Sequence, residues 1–213
     1  YITGNVKFTI CSNNKNNKYK HINNYHYKQI RKSTKKEGES MEINSPEELY
    51  DLVSQTEYGW LDSDGQKHYK LEMEKYQEKY ILQTPEEVEK NKIGICWDQV
   101  ELERYYLERM GIKCESYIIY YAGKRKDRVH TFLTYNKDNY TYWFEHAWKN
   151  HKGIHKYKNN EEILADVKRI FIDEELNNNY EEKRLHIYNY AKPKPHVNHY
   201  NFLKYCQKFR DMD

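Results

Sequence analysis

Cysteine, histidine and glutamate occur in an order that could build a covalent acyl-transfer site. Cys96 follows Gly94 and Ile95 and begins the clearest long helical pattern in the chain. The unpaired N–H groups and the dipole of a helix N-terminus stabilise a thiolate, and the same N–H groups can accept an oxyanion. Cys114, in a predicted strand, and Cys206, in a predicted terminal helix, lack this setting. We interpret them as small buried apolar residues.

An imidazole and a carboxylate are predicted to meet on a β-hairpin further along the chain. Two strand patterns, 129–135 and 140–146, flank residues 136–139, whose composition is typical of a turn. A symmetric four-residue turn would place His130 directly opposite Glu145, with Cβ atoms about 4.5–5.5 Å apart. The carboxylate would then fix the tautomer of His130 and leave its other ring nitrogen for a nucleophile. The three side chains together have the composition of a Cys-His-acid hydrolase or acyltransferase.

Several segments also resemble the transglutaminase-like superfamily of cysteine enzymes. Residues 84–88 (TPEEV), 94–98 (GICWD) and 107–112 (LERMGI) resemble its nucleophile helix and the approach to that helix. Residues 129–132 (VHTF) resemble its histidine strand, and residues 142–148 (YWFEHAW) resemble its acid strand. The resemblance covers about a third of the chain.

The resemblance implies a papain-like mechanism with a Cys-His-Glu triad. Cys96 would attack an acyl carbon, and His130 would take and later return the proton. Glu145 would orient His130, at a place where the family usually has aspartate. Water would resolve the thioester in a protease or a deamidase, and an amine would resolve it in a transglutaminase.

Aromatic side chains supply the remaining candidates for the site. In parts of this superfamily a side chain well upstream of the cysteine donates the second hydrogen bond to the oxyanion. Trp60 or Tyr58 would serve here, because both side chains carry a donor. Trp97, Trp143 and Trp148 are candidates to line a substrate groove, with core packing as the alternative.

One acidic residue lies where an apolar residue is expected. Counted at 100° per residue from Cys96, Glu103 falls among apolar positions of the predicted helix that include Val100 and Leu107. A buried carboxylate needs a partner, and Arg128 or a tyrosine could provide it. A second role for Glu103 near the active site is a hypothesis.

Local signals mark the elements that must position these residues. Ser-Pro-Glu-Glu at 45–48 and Thr-Pro-Glu-Glu at 84–87 are typical of helix starts, with a capping side chain and proline at the first position. A strand is predicted over 112–121, and helices are predicted over 46–55, 68–80, 85–91, 96–110, 161–171 and after Asn198. These patterns predict an α+β domain with helices on one side of an antiparallel sheet and Cys96 at the N-terminus of a central helix. The resemblance makes this a transglutaminase/papain-like architecture.

Charge divides the chain into two parts. Residues 1–40 carry eight lysines and Arg31 against two glutamates, a net charge of +7, which leaves −4 for the rest of a chain whose total is +3. We predict that residues 1–40 are a flexible, basic, Asn/Lys-rich arm and that residues 41–213 form the catalytic domain. A nucleic acid would bind only through this arm.

Composition excludes several classes of protein. The 213 residues suffice for one ordinary domain, and 23 tyrosines add buried aromatic area to a hydrophobic content of 38%. No apolar run approaches the ~20 residues that span a bilayer, and no signal-peptide pattern opens the chain. The cysteines form no CxxC pair, so we expect a reduced, cytoplasmic setting. We predict no metal, because no acid or cysteine completes a site with His146, His151 and His155, and we predict no other cofactor.

We therefore expect cysteine-dependent acyl chemistry on the amide bonds of a protein or peptide substrate. Hydrolysis is favoured over crosslinking, because no sequence feature dedicates a site to an acceptor amine. The alternative is a non-catalytic binding module of the same fold that uses the aromatic groove or the basic arm. The sequence leaves the oligomeric state open.

Overall fold

The computed structural model describes residues 42–70, 72–124 and 126–212, and the basic arm predicted over residues 1–40 lies outside these ranges. This part of the chain contains six α-helices and nine β-strands. The helices are α1 (Pro46–Val53), α2 (Met73–Lys79), α3 (Pro85–Asn91), α4 (Cys96–Arg109), α5 (Asn160–Glu174) and α6 (His199–Cys206). The strands are β1 (Glu57–Tyr58), β2 (Trp60–Leu61), β3 (Lys67–His68), β4 (Ile93–Gly94), β5 (Cys114–Tyr121), β6 (Arg128–Lys137), β7 (Tyr140–Glu145), β8 (Gly153–Tyr157) and β9 (Leu185–Tyr190).

Helix starts follow the capping signals of the sequence. Ser45 caps α1 with its side chain, and Thr84 caps α3 in a reciprocal capping box with Glu87. The start predicted for the next helix is wrong, because α2 begins at Met73. His68 instead lies in β3, which pairs with β2 in a short antiparallel ladder.

Strands β5–β9 form one antiparallel sheet in the order β8-β7-β6-β5-β9. The three inner strands were predicted, whereas both edge strands, β8 and β9, were missed. Edge strands carry polar side chains that discourage further pairing, and this weakens the alternation that a sequence pattern relies on.

The hairpin between β6 and β7 has a shorter turn than the sequence suggested. Asp138 and Asn139 both have positive φ, 53° and 62°, as the central residues of a two-residue type I′ turn do. The observed pairs, such as Leu133 with Phe144, are therefore displaced by two residues from the pairing predicted for a four-residue turn. The predicted register is wrong, although the two strands themselves are as expected.

Helices cover both faces of this sheet. Ile118 and Leu133 share a core cluster with the apolar side chains of α4, whereas Ile119 and Phe132 share a second cluster with those of α5. Because neighbouring residues of a strand point to opposite faces, α4 and α5 lie on opposite sides. The architecture is a mixed one with an antiparallel sheet, which agrees with the predicted α+β class. The expectation that helices occupy one side only is wrong.

Among the helices of the described ranges, none combines the length and the apolar character needed to cross a bilayer.

Candidate active site

Cys96 is the first residue of α4 and is almost enclosed by the core, with 5% of its surface exposed. Asp98, in the same helical turn, accepts hydrogen bonds from the N–H of Ile95, the N–H of Gln83 and the hydroxyl of Tyr80, each at 3.0 Å. Burial raises the pKa of Asp98 to about 7, although these hydrogen bonds lower it. This network fixes the turn of backbone that carries the sulfur.

A second set of hydrogen bonds holds the other side of the same turn. Gln99 donates from Nε2 to the carbonyl of Gly94 at 2.9 Å, so its Oε1 is free to accept from Nδ1–H of His146 at 3.2 Å. The side chain of His146 is buried, and burial lowers its pKa to about 4. Gly94 is required for close approach, since a Cβ there would lie 2.9 Å from the Cβ of Asp98.

His130 and Glu145 meet although they are not directly opposed. Their Nε2 and Oε2 atoms are 2.8 Å apart. The β6–β7 ladder ends at the pair Leu133 and Phe144, and His130 and Glu145 are diagonal neighbours beyond that end. A displacement of two residues keeps every side chain on its original face, so the contact survives the change of register. The longer reach of glutamate compared with aspartate suits this diagonal spacing of about 7–8 Å between backbones.

The surroundings favour the charged forms of both partners. Burial alone lowers the pKa of His130, but the carboxylate of Glu145 and a hydrogen bond to the side chain of Cys96 raise it to about 10. Burial also opposes ionisation of Glu145, but His130 and the N–H of Trp148, which donates to Oε1 at 2.7 Å, lower the pKa of this carboxyl below its ordinary value. At neutral pH the imidazole is therefore an imidazolium, and Nδ1 is the nitrogen left for the sulfur. An imidazolium beside a cysteine is the arrangement that supports a nucleophilic thiolate.

The two candidates for the second oxyanion donor differ in their contacts. Trp60 donates its indole N–H to the carbonyl of Lys70 at 3.2 Å and stacks on His68, with ring centroids 4.1 Å apart. The donor is thus already used, which contradicts the predicted role. Tyr58 is 38% exposed and pairs in β1 with Gly94 of β4, two residues before Cys96, so it remains a candidate.

The predicted aromatic groove is wrong. Trp97, Trp143 and Trp148 are each 1% exposed, so they present no surface to a substrate. Trp97 stacks on Phe202 with ring centroids 4.3 Å apart, and Trp148 packs against the imidazole of His130 at 4.9 Å. Core packing, the alternative interpretation, describes all three.

Glu103 is buried beside these residues, as its helical position suggested. Arg128 is not its partner, because the guanidinium Nε lies 3.8 Å from a carboxylate oxygen of Glu175. Burial, followed by repulsion from Glu145, raises the pKa of Glu103 well above its ordinary value. Gln99 and His146 were not predicted as members of the site, and the available signal was the row of polar residues in the first turns of a buried helix.

The described residues contain no group of three or more His, Cys, Asp or Glu side chains arranged to hold a metal ion. Comparison with known proteins gives no identification. None of the known protein-family models matches the chain, and a search of curated proteins also finds no match.

Proposed function

We propose that this chain is a cysteine-dependent enzyme of the transglutaminase-like type that acts on the amide bonds of a protein or peptide. The observation that supports the proposal is the 2.8 Å hydrogen bond between His130 and Glu145. Cys96, at the start of α4, also acts on His130 and helps to raise the pKa of the imidazole. A nucleophile at a helix N-terminus, packed against an antiparallel sheet that carries the histidine and the acid, suits a transglutaminase/papain-like fold, and this fold is part of the proposal. The described cysteines are free thiols, as a reduced, cytoplasmic setting would keep them.

The reaction would begin with the sulfur of Cys96. It forms a bond to the amide carbon, and the carbonyl electron pair moves to the oxygen, which accepts hydrogen bonds from N–H groups at the start of α4. His130 gives its proton to the departing nitrogen as the C–N bond breaks, which leaves a thioester. Neutral His130 then takes a proton from the attacking water, and the sulfur leaves as the thiolate. Glu145 stabilises the imidazolium at the start and at the end of this cycle.

We propose hydrolysis of a peptide bond or of a glutamine side chain as the main reaction, with water as the acceptor. Transfer to an amine would use the same three side chains and differs only in what attacks the thioester. The alternative, a non-catalytic binding module, would have used the predicted aromatic groove or the basic arm as its binding surface. The tryptophans of the groove are buried, which argues against the first of these surfaces. The second surface, the basic arm, lies outside the described residues.

Thiol labelling tests the proposal directly. Cys96 should react with iodoacetamide at about pH 6 faster than a free thiol of ordinary pKa ~8.5, and His130→Ala should slow the reaction. The matched controls are Cys114→Ala and Cys206→Ala, which should leave the fast phase intact. A quenched-peptide and glutamine-deamidation screen against Cys96→Ala then separates the reactions. Labelling no faster than that of a free thiol, and unaffected by His130→Ala, would exclude the proposed enzyme.

A further inference from the structure

Glu103 is the buried group near the site that the proposed reaction does not use. Its side chain is 2% exposed, and Oε2 has no hydrogen-bond partner within the described part of the chain. Native proteins satisfy nearly all buried polar atoms, through protein groups or through ordered water, and an unpaired carboxylate in a core is costly. The unpaired, buried carboxyl of Glu103 therefore needs a physical explanation.

The course of α4 places Glu103 opposite a particular level of the sheet. Cys96, at the start of α4, acts on the pKa of His130, near the start of β6. Four residues after the end of α4, the carbonyl of Lys113 accepts from the N–H of Asn136, near the end of β6, so α4 runs in the same direction as β6. Glu103 lies seven residues after Cys96, a rise of about 10.5 Å, which equals about three residues of strand. Glu103 is thus close to the level of β6 three residues beyond His130.

Two hydroxyls near this level face the helix, and they are also unsatisfied: Ser116 is opposite Leu133, and Thr131 lies two residues nearer to His130. Thr131 pairs with Ile118, and Ser116 pairs with Leu133, in the β5–β6 ladder. Ile118 and Leu133 pack in the same core cluster as α4, and directly paired residues share a face, so both hydroxyls point toward α4. The hydroxyl oxygens of Thr131 and Ser116 are buried and, across the described ranges, have no hydrogen-bond partner.

The charges around Glu103 decide which carboxyl holds a proton. Among the residues that the structure describes, Glu145 has two donors, the ring N–H of His130 and the N–H of Trp148, whereas Oε2 of Glu103 has none. When two carboxyls share a site, the one with fewer donors keeps the proton. The other titratable groups that act on Glu103 or feel its charge are Cys96 and Glu101 on its own helix and Cys114 on β5.

We propose that Glu103 is a positioning residue, a protonated carboxylic acid joined to Thr131 and Ser116 through one buried water, which holds α4 against β6 so that Cys96 meets His130. A buried water typically makes about three hydrogen bonds, and these three groups supply that number. Thr131 directly follows His130, which pairs with Ile119 and points to the opposite face, so the bridge acts on the backbone that carries the imidazole. Only the kinetic part of the test depends on the proposed function.

Infrared spectroscopy tests whether the carboxyl of Glu103 is protonated. At about pH 8.5, above the pKa of about 7 of Asp98 and Glu101, a protonated carboxylic acid band should remain in the wild type and in Glu145→Gln. The same band should be missing from Glu103→Gln. A wild type without the band, or a Glu103→Gln variant that keeps it, would overturn the proposal whatever the enzyme does.

Kinetics test the positioning. Glu103→Leu removes the hydrogen bonds of Glu103 with a side chain of similar size. It should slow alkylation of Cys96 about tenfold, while the urea midpoint of unfolding stays equal or rises. Glu103→Gln should restore most of the rate, because an amide still bonds to water. Thr131→Val, which is nearly isosteric, should reproduce the slowing if the leucine variant folds poorly. A wild-type rate in both Glu103→Leu and Thr131→Val would refute positioning. Slow labelling of the wild type itself would instead contradict the proposed function.

Discussion

Replacing Glu145 with glutamine should remove the charge that keeps His130 protonated. The carboxylate is buried, with Oε2 2.8 Å from Nε2 of His130 and Oε1 bonded to the N–H of Trp148. Against the opposing effect of burial, the pKa of His130 rises from 6.5 to about 10, which corresponds to about 5 kcal/mol in favour of the imidazolium. Glu145 is the strongest of the raising influences. In Glu145→Gln the pKa of the imidazole should therefore fall far below 10, toward its ordinary 6.5, because burial is then opposed chiefly by Cys96.

Two measurements follow the change. An NMR titration of the His130 ring gives its pKa, and iodoacetamide rates from about pH 5 to 10 show how the imidazolium supports the sulfur. At about pH 7.5 the variant should be alkylated at least about tenfold more slowly than the wild type, since most of its imidazole is neutral. Glu174→Gln is the matched control, because it removes a similar bond, 2.9 Å long, to the more exposed His151. A His130 that still titrates near pH 10 in Glu145→Gln would refute the reasoning.

Three further changes test other parts of the structure. The free energy of unfolding should fall as pH rises from about 6.5 to 10, because the folded chain keeps the His130 proton that the unfolded chain loses. In urea titrations, His130→Gln should make this dependence on pH less steep by about 1.4 kcal/mol per pH unit. Asp98→Ala should cost about 3 kcal/mol or more in the same assay, because it leaves three buried donors unpaired, among them the hydroxyl of Tyr80; a loss below about 1 kcal/mol would contradict that network. Asn139→Val should lower the free energy of unfolding by about 1–2 kcal/mol, since a β-branched residue resists positive φ, and an unchanged melting temperature would argue against the two-residue turn.

Local chemistry made the helices predictable. The caps Ser45, Thr84 and Asn198 each bond to a nearby backbone N–H, and such contacts depend only on neighbouring residues. The start of α2 was misplaced because β2 and β3 pair through His68, which local sequence does not reveal. The hairpin register depended on a single choice between a four-residue turn and a two-residue turn with positive φ at Asn139.

The candidate site was predictable to the extent that it depends on periodicity. Side chains alternate along a strand, so the contact between His130 and Glu145 followed from either register. The burial of individual side chains was harder to predict from the sequence, because it depends on the packing of elements far apart in the chain. Trp143 and Trp148, for example, lie against β6 and α5 and are enclosed. The acceptor that engages Trp60, the carbonyl of Lys70, is a backbone atom, and side-chain patterns give no information about it.

The diagonal relation of His130 to Glu145 limits how this hairpin can change in evolution. Inserting or deleting a pair of residues within one strand would shift the ladder by an even number and keep both side chains on the same face. A single-residue change would turn one of them away unless a bulge absorbed it. Homologues of this chain should therefore differ in hairpin length mainly by even numbers of residues, with odd differences accompanied by a bulge between the histidine and the turn.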